Sequence, residues 1–261
     1  MQVVTSARNP LLKEVRKAVV RGSLTEDGLC VAEGFHLLEE ALRSECEIPA
    51  VFAVEAVRSA VERHVNGLKN IRVIGLQDDL FQSLSSTETS QGVISLVRPP
   101  SWSLDQLFRG QSLVIVLDGV QDPGNAGTII RSAEGFGATG VAMLKGSVNP
   151  YNPKCLRSAA GSIFRVPLAA GIEQQLLLAA IEQRKADLYS LAQNGAMDVA
   201  DCRLDRRCAL VVGSEGRGVS ERLRAKSMDV RIPTVGVESL NAATAAAIAL
   251  YQARRQRMAL Q

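Results

Sequence analysis

Three short segments of the chain carry side chains able to orient a nucleophile and ease the departure of its proton. The first, residues 118–134, reads DGVQDPGNAGTIIRSAE, with Asn125 near the start of a helix and Arg131 six residues further inside it. The second, residues 212–220, reads VGSEGRGVS and sets Glu215 among Gly213, Gly216 and Gly218. The third, residues 232–251, reads IPTVGVESLNAATAAAIALY and puts Ser239 and Asn241 at the mouth of an Ala-rich helix. Glycines let backbone amides approach a ligand closely. A carboxylate accepts hydrogen bonds or a proton, and a guanidinium stays charged and clamps oxyanions. Each segment also has a purely structural reading. Asn125 can cap a helix whose solvated face holds Arg131, the glycine run can be a tight turn, and Ser239 can cap the final helix.

Buried strands must deliver these loops. The run LVIVL (113–117) ends at Asp118 ahead of the first loop, and ALVV (209–212) precedes the second. Further strands are expected at 140–144, 187–191 and 230–232, with helices over 128–136, 154–162, 173–183 and 239–258. On the last helix a stripe of Leu240, Ala243, Ala247 and Tyr251 is expected to pack. Continuous apolar strands alternating with helices predict a parallel sheet covered on both faces. The literal GxGxxG at Gly135–Gly140 follows a helix and precedes a strand. A dinucleotide fingerprint needs the opposite order, so this match is not read as one.

The N-terminal part predicts a helix over 9–20, a second over 35–42, and strands at 29–32, 51–54, 71–74 and 92–96. That pattern suggests a small α/β/α layer structure. Between the two parts, VRPPSWSLDQLFRG holds Pro99 and Pro100, which can continue neither a helix nor a central strand. The division expected is 1–98, a linker over 99–112, and 113–261.

Composition narrows the function classes. The 261 residues are 46% hydrophobic and 22% charged, an ordinary globular balance rather than a disordered one. No apolar run reaches the roughly 18 residues of a membrane span, and the N-terminus lacks a signal-peptide pattern, so a cytoplasmic protein without a membrane partner is expected. Five cysteines without CxxC and two distant histidines support neither a disulfide framework nor a metal site. The net charge of +3 hides a split. Residues 1–98 hold 11 basic and 13 acidic side chains, whereas 99–261 hold 19 and 14, so the basic excess lies with the three segments.

In this order, DPGNAGTIIRSAEGFG, VVGSEGRGVS and IPTVGVESLNAATAAAIALY resemble the three motifs of the SpoU family of RNA ribose 2′-O-methyltransferases, within the SPOUT superfamily. SLNAAT stands where SLNVSV-type strings are common, a change among small side chains. The opening SARNPLLKEVRK and CVAEGFHLLEEAL resemble the family's N-terminal substrate-recruiting domain. The resemblance implies an α/β fold with a C-terminal trefoil knot, a homodimer, S-adenosylmethionine as methyl donor and no metal. It implies donor-binding positions at Gly213, Ile232 and Leu240, with Leu191 and Ala192 nearby, and catalytic positions at Asn125, Arg131, Glu215, Ser239 and Asn241. A guanidinium is a poor base, so Arg131 is expected to clamp a phosphate and the developing alkoxide, with Glu215 orienting it or relaying the proton. The implied acceptor is RNA, whose ribose alone offers a 2′-OH. The N-terminal domain favours large-subunit (23S) ribosomal RNA; transfer RNA, or a non-catalytic ribosome-assembly role on the same fold, are the alternatives.

Overall fold

Short runs of aliphatic and β-branched residues alternate with helix-forming stretches along the whole chain, and most of these runs become strands. The computed structural model describes residues 2–4, 6–68 and 70–259. The first hundred residues hold β1 (Gln2–Val4), α1 (Pro10–Arg21), β2 (Cys30–Glu33), α2 (Phe35–Arg43), β3 (Glu47–Val54), α3 (Glu55–His64), β4 (Arg72–Leu76), α4 (Asp78–Gln82) and β5 (Val93–Arg98). Then come α5 (Leu104–Leu107), β6 (Leu113–Asp118), α6 (Pro123–Gly135), β7 (Gly140–Leu144), α7 (Pro153–Ala159), β8 (Leu168–Ile172) and α8 (Gln174–Arg184). The chain closes with β9 (Asp187–Leu191), β10 (Met197–Asp198), β11 (Cys208–Gly213), α9 (Glu221–Arg224), β12 (Met228–Arg231) and α10 (Ala242–Met258). No helix among the described residues is long and apolar enough to cross a membrane.

The chain forms two units. One comprises the residues up to Pro100 together with Asn149–Phe164; the other comprises Ser101–Val148 and the residues from Arg165 onward. The first unit is built on a mixed sheet in the order β1-β4-β3-β5-β2, with β5 antiparallel to both β2 and β3. Leu12 and Val15 of α1 are fully buried over Phe52 and Ile94 of that sheet. Helix α7 packs on β2. An added Cβ at Gly161 would lie 2.5 Å from the Glu40 Cβ, so glycine there lets residues 149–164 lie close on α2. The helix expected at 154–162 is thus found, and it belongs with the N-terminal unit.

The second unit is a seven-stranded sheet, parallel throughout, in the order β10-β12-β9-β11-β6-β7-β8. Its central strands are apolar along their whole length because both faces are covered. Val114 and Val116 meet Leu177 and Ile181 of α8, while Leu113, Ile115 and Leu117 on the opposite face are also fully buried. Residues expected to act as a linker pack here as well. Leu107 and Phe108 are buried against this core, and Trp102 and Leu104 lie at its edge. The glycines of the GxGxxG string serve the turn from α6 to β7. Gly137 adopts a positive φ of 74°, and an added Cβ at Gly140 would lie 2.4 Å from Leu107.

Strand order places a crevice where it matters. The connection leaving β6 runs through α6 to β7 on one side, whereas the one leaving β11 runs through α9 to β12 on the other, beyond β9. Neighbouring strands whose outgoing connections diverge leave an opening beyond their carboxyl ends, the usual ligand site of open α/β sheets. The 212–220 and 232–251 segments line a cleft beside it, and Asn125 of the first segment reaches that cleft through its bond to Glu215.

Candidate active site

The site is framed by Asp118, the last residue of β6, which is 6% exposed. Its oxygens accept hydrogen bonds from the Ser220 backbone N–H at 2.7 Å and from Gln174 Nε2 at 3.3 Å. One buried carboxylate thus ties the end of the 214–220 loop to the end of β6. Gly213 makes the same loop tight. A Cβ there would lie 2.0 Å from the Gly218 carbonyl carbon and 2.2 Å from the Val219 nitrogen, so glycine is needed for backbone packing. The turn is closed by reciprocal bonds, Ser214 N–H to Gly218 O at 3.1 Å and Gly218 N–H to Ser214 O at 2.8 Å.

Helix α6 begins five residues earlier than its apolar pattern suggests. Asp122 is the N-cap, its side chain accepting from the Asn125 N–H at 2.8 Å, and Pro123 takes the first helical position. Asn125 is therefore not the cap, and its amide is free to reach across the crevice. The last helix begins later than expected, at Ala242, and its cap is Asn241 rather than Ser239. The Asn241 Oδ1 accepts from the N–H groups of Ala243 and Thr244 at 2.9 and 3.3 Å. The buried stripe of this helix is Ala242, Ala243, Ala246, Ala249, Leu250 and Ala253, whereas Tyr251 is exposed and meets the ring of Phe136 edge-on.

These caps give the side-chain network a direction. Backbone N–H groups can only donate, so Asn241 must present Oδ1 to the helix and Nδ2 outward. Asn241 Nδ2 then donates to Asn125 Oδ1 at 3.0 Å, and Asn125 Nδ2 donates to Glu215 Oε1 at 2.7 Å. Glu215 is the terminal acceptor, and its second oxygen has no partner among the described residues. Three of the residues expected to act together are thus joined in one oriented chain. Glu215, Asn241 and Ser239 line a cleft of about 540 Å³ outside the carboxyl ends of β9, β11 and β12. All five residues expected to hold a donor, Leu191, Ala192, Gly213, Ile232 and Leu240, line that cleft too.

Arg131 stands apart from the network. It is exposed on α6, does not line the cleft, and has no hydrogen-bond or ion-pair partner among the described residues. Glu215 is engaged by Asn125 and not by Arg131. Sequence reasoning passed over two side chains that shape the site. Asp118 could have been found as an acid ending a buried apolar strand, and Asp122 as a cap residue directly before proline.

A volume of this size suits a ligand of nucleoside dimensions. Leu191, Val212, Ile232 and Leu240 supply apolar walls, and two strand-end loops supply backbone amides and carbonyls. Residues 112–251 match the SpoU rRNA Methylase family, and residues 9–95 match the MRM3-like substrate binding domain. The chain is 33% identical to the 23S rRNA (guanosine(2553)-2′-O)-methyltransferase of Bacillus subtilis, over 97% of this chain and all of that one. It is 33% identical to a 23S rRNA (uridine(2479)-2′-O)-methyltransferase of Streptomyces viridochromogenes, over 73% of this chain and 70% of that one. The crystal structure of the SpoU methyltransferase AviRb from Streptomyces viridochromogenes, in complex with the cofactor AdoMet, superposes with a TM-score of 0.87 at 28% identity. That superposition covers 96% of this chain and 99% of the other.

Proposed function

The chain belongs to the SpoU rRNA methylase family, and on that footing we propose that it methylates a ribose 2′-OH of large-subunit ribosomal RNA with S-adenosylmethionine as donor. One observation carries the reading: the oriented chain from Asn241 through Asn125 to Glu215 ends on an acceptor at the mouth of a cleft of ligand size. When bound, the donor supplies a methyl group already activated on sulfur, so the chemistry asks the protein for alignment and proton removal. Holding nucleophile and electrophile in line is worth about 7–11 kcal/mol in well-oriented systems.

Leu191, Ala192, Gly213, Ile232 and Leu240 would hold the donor through apolar contact and backbone hydrogen bonds. Glu215 would accept the hydrogen of the 2′-OH on its uncommitted oxygen while Asn125 fixes the other. Asn241 would keep the Asn125 amide in that orientation, and Ser239 would hold the nucleotide beside it. Arg131 would clamp a phosphate of the acceptor and stabilise the developing alkoxide, in keeping with a guanidinium that stays charged. Two further parts of the proposal rest on the family. The catalytic half forms a homodimer, to which exposed Ile248 and Tyr251 on α10 and Val235 and Val237 on the preceding loop offer apolar surface. Its C-terminal segment is threaded as a trefoil knot. The protein acts in the cytoplasm, where its RNA is found.

Calorimetry with S-adenosylmethionine, followed by transfer of labelled methyl groups to unmodified 23S ribosomal RNA, tests the reading. Donor binding with label at one ribose is expected. Label on transfer RNA alone would move the substrate class, and donor binding without transfer to any RNA would favour a non-catalytic role.

A further inference from the structure

The tip of the 214–218 loop, Gly216 and Arg217, has no task within the chain, and we infer that it binds a backbone phosphate of the acceptor RNA beside the target nucleotide. The inference rests on the function proposed above. The three glycines of this loop differ in what they are for. Gly213 is forced by the backbone against it, and Gly218 by a positive φ of 68°. Gly216 is required by neither: its φ lies outside the left-handed region, and an added Cβ would meet nothing within 4 Å. Neither local conformation nor packing calls for glycine at 216. Close approach from outside the chain does.

Arg217 points to what approaches. It lines the cleft mouth, it is exposed, and its guanidinium has no hydrogen-bond or ion-pair partner among the described residues. Of the other charged side chains lining the cleft, Arg224 pairs with Asp229 and Glu215 accepts from Asn125 on one oxygen, while Glu238 lines the same cleft without pairing with Arg217. The backbone of the loop is closed on itself, the Arg217 N–H donating to Ser214 Oγ at 3.3 Å inside the turn. An unneutralised cation beside an open backbone suits a phosphodiester, to which a guanidinium can donate two parallel bonds. The donor carries a positive sulfonium and so repels the cation there, although its carboxylate is the rival ligand to be tested.

The experiment uses the full chain with Arg217→Ala, Arg217→Lys and Gly216→Ala, unmodified 23S ribosomal RNA transcript, and saturating S-adenosylmethionine. Arg217→Ala is expected to raise the KM for RNA about tenfold or more, the loss expected for one charge-assisted contact. It should also flatten the slope of log affinity against log salt by about 0.7–0.9. Arg217→Lys should keep that slope and recover part of the KM, because it keeps the charge and loses the fork. Gly216→Ala should raise the KM through bulk and leave the salt slope alone. Donor affinity by calorimetry should stay within about twofold in all three. Weakened donor binding with an intact salt slope would hand the tip to the donor, and a shifted oligomeric mass would hand it to a second subunit; either overturns the inference. Variants indistinguishable from an active wild type would overturn it alone. A wild type that transfers no methyl group would sink the proposed function and this inference with it.

Discussion

Asn241→Asp isolates the direction of the hydrogen-bond chain from the integrity of the helix that starts it. Aspartate is as good an N-cap as asparagine and suits the positive end of the helix dipole, so α10 should form as before. What is lost is the Nδ2 donor that meets Asn125 Oδ1 at 3.0 Å. If Asn125 stays put, two acceptors face one another at that contact. If its amide turns, its oxygen is carried toward Glu215 Oε1, where 2.7 Å now separates donor and acceptor. One contact is broken in either case. A hydrogen bond to a charged group is worth about 1.5–3 kcal/mol, so kcat should fall by about 10–100-fold at neutral pH. Asn241→Ala should lose activity too, but it should also lose about 1 kcal/mol of stability with the cap. Methyl transfer at saturating RNA and urea unfolding measure the two effects. As pH falls toward the ordinary aspartate value near 4, protonated Asp regains an O–H donor, so the activity of Asn241→Asp relative to wild type should recover. Wild-type turnover by this variant at pH 8, or equal loss of stability in both variants, would refute the argument.

Gly213→Ala drives a methyl group into the Gly218–Val219 backbone; opening the turn should cost about 1–3 kcal/mol, seen in urea unfolding, and should abolish donor binding by calorimetry. Arg257 of α10 donates to the carbonyl oxygens of Leu204, Gln111, Ser112 and Arg206, which precede β11 and β6. Arg257→Ala should cost on the order of 3 kcal/mol in urea unfolding, with Lys restoring only part because one ammonium cannot span those acceptors. In the N-terminal unit the Ala60 carbonyl, and after it the Glu39 carboxylate at 3.0 Å, raise the pKa of His64 above its ordinary 6.5. A raised folded value means that the contact stabilises fully below the unfolded pKa and fades as pH rises through the folded one. NMR titration should therefore find His64 above 6.5, and Glu39→Gln should lower it; an unchanged titration would remove Glu39 as a cause.

Much of the site was legible because its residues lie in strand–loop–helix order. The runs 113–117 and 209–212 predicted β6 and β11 to within a residue or two, and these strands deliver the loops of Asn125 and Glu215. Which residue caps each helix was less legible. Asn125 and Ser239 are both good cap types, and the choice of Asp122 and Asn241 depends on where the first helical turn closes. The stripe on α10 was misread because alanine occupies both faces, so period alone cannot find the buried one. Arg131 illustrates a different limit. Its chemistry could be read, but on the exposed face of α6 it has no partner among the described residues and does not line the cleft. Residues 149–164 pack with the N-terminal unit through glycine contacts between distant segments, which no local pattern encodes. Trp102, Leu104, Leu107 and Phe108 were obscured by the prolines before them, though their apolar character was itself a sign of burial.

Transfer to a ribose oxygen of large-subunit ribosomal RNA can be read directly. The direct measurement is mass-spectrometric mapping of 23S ribosomal RNA after reaction with isotopically labelled S-adenosylmethionine. Label is expected at a single nucleotide, on the ribose, protected from alkaline cleavage at the next bond, and absent when Glu215 is replaced by glutamine. Label on a base, or on the ribose at full yield without the Glu215 carboxylate, would contradict it.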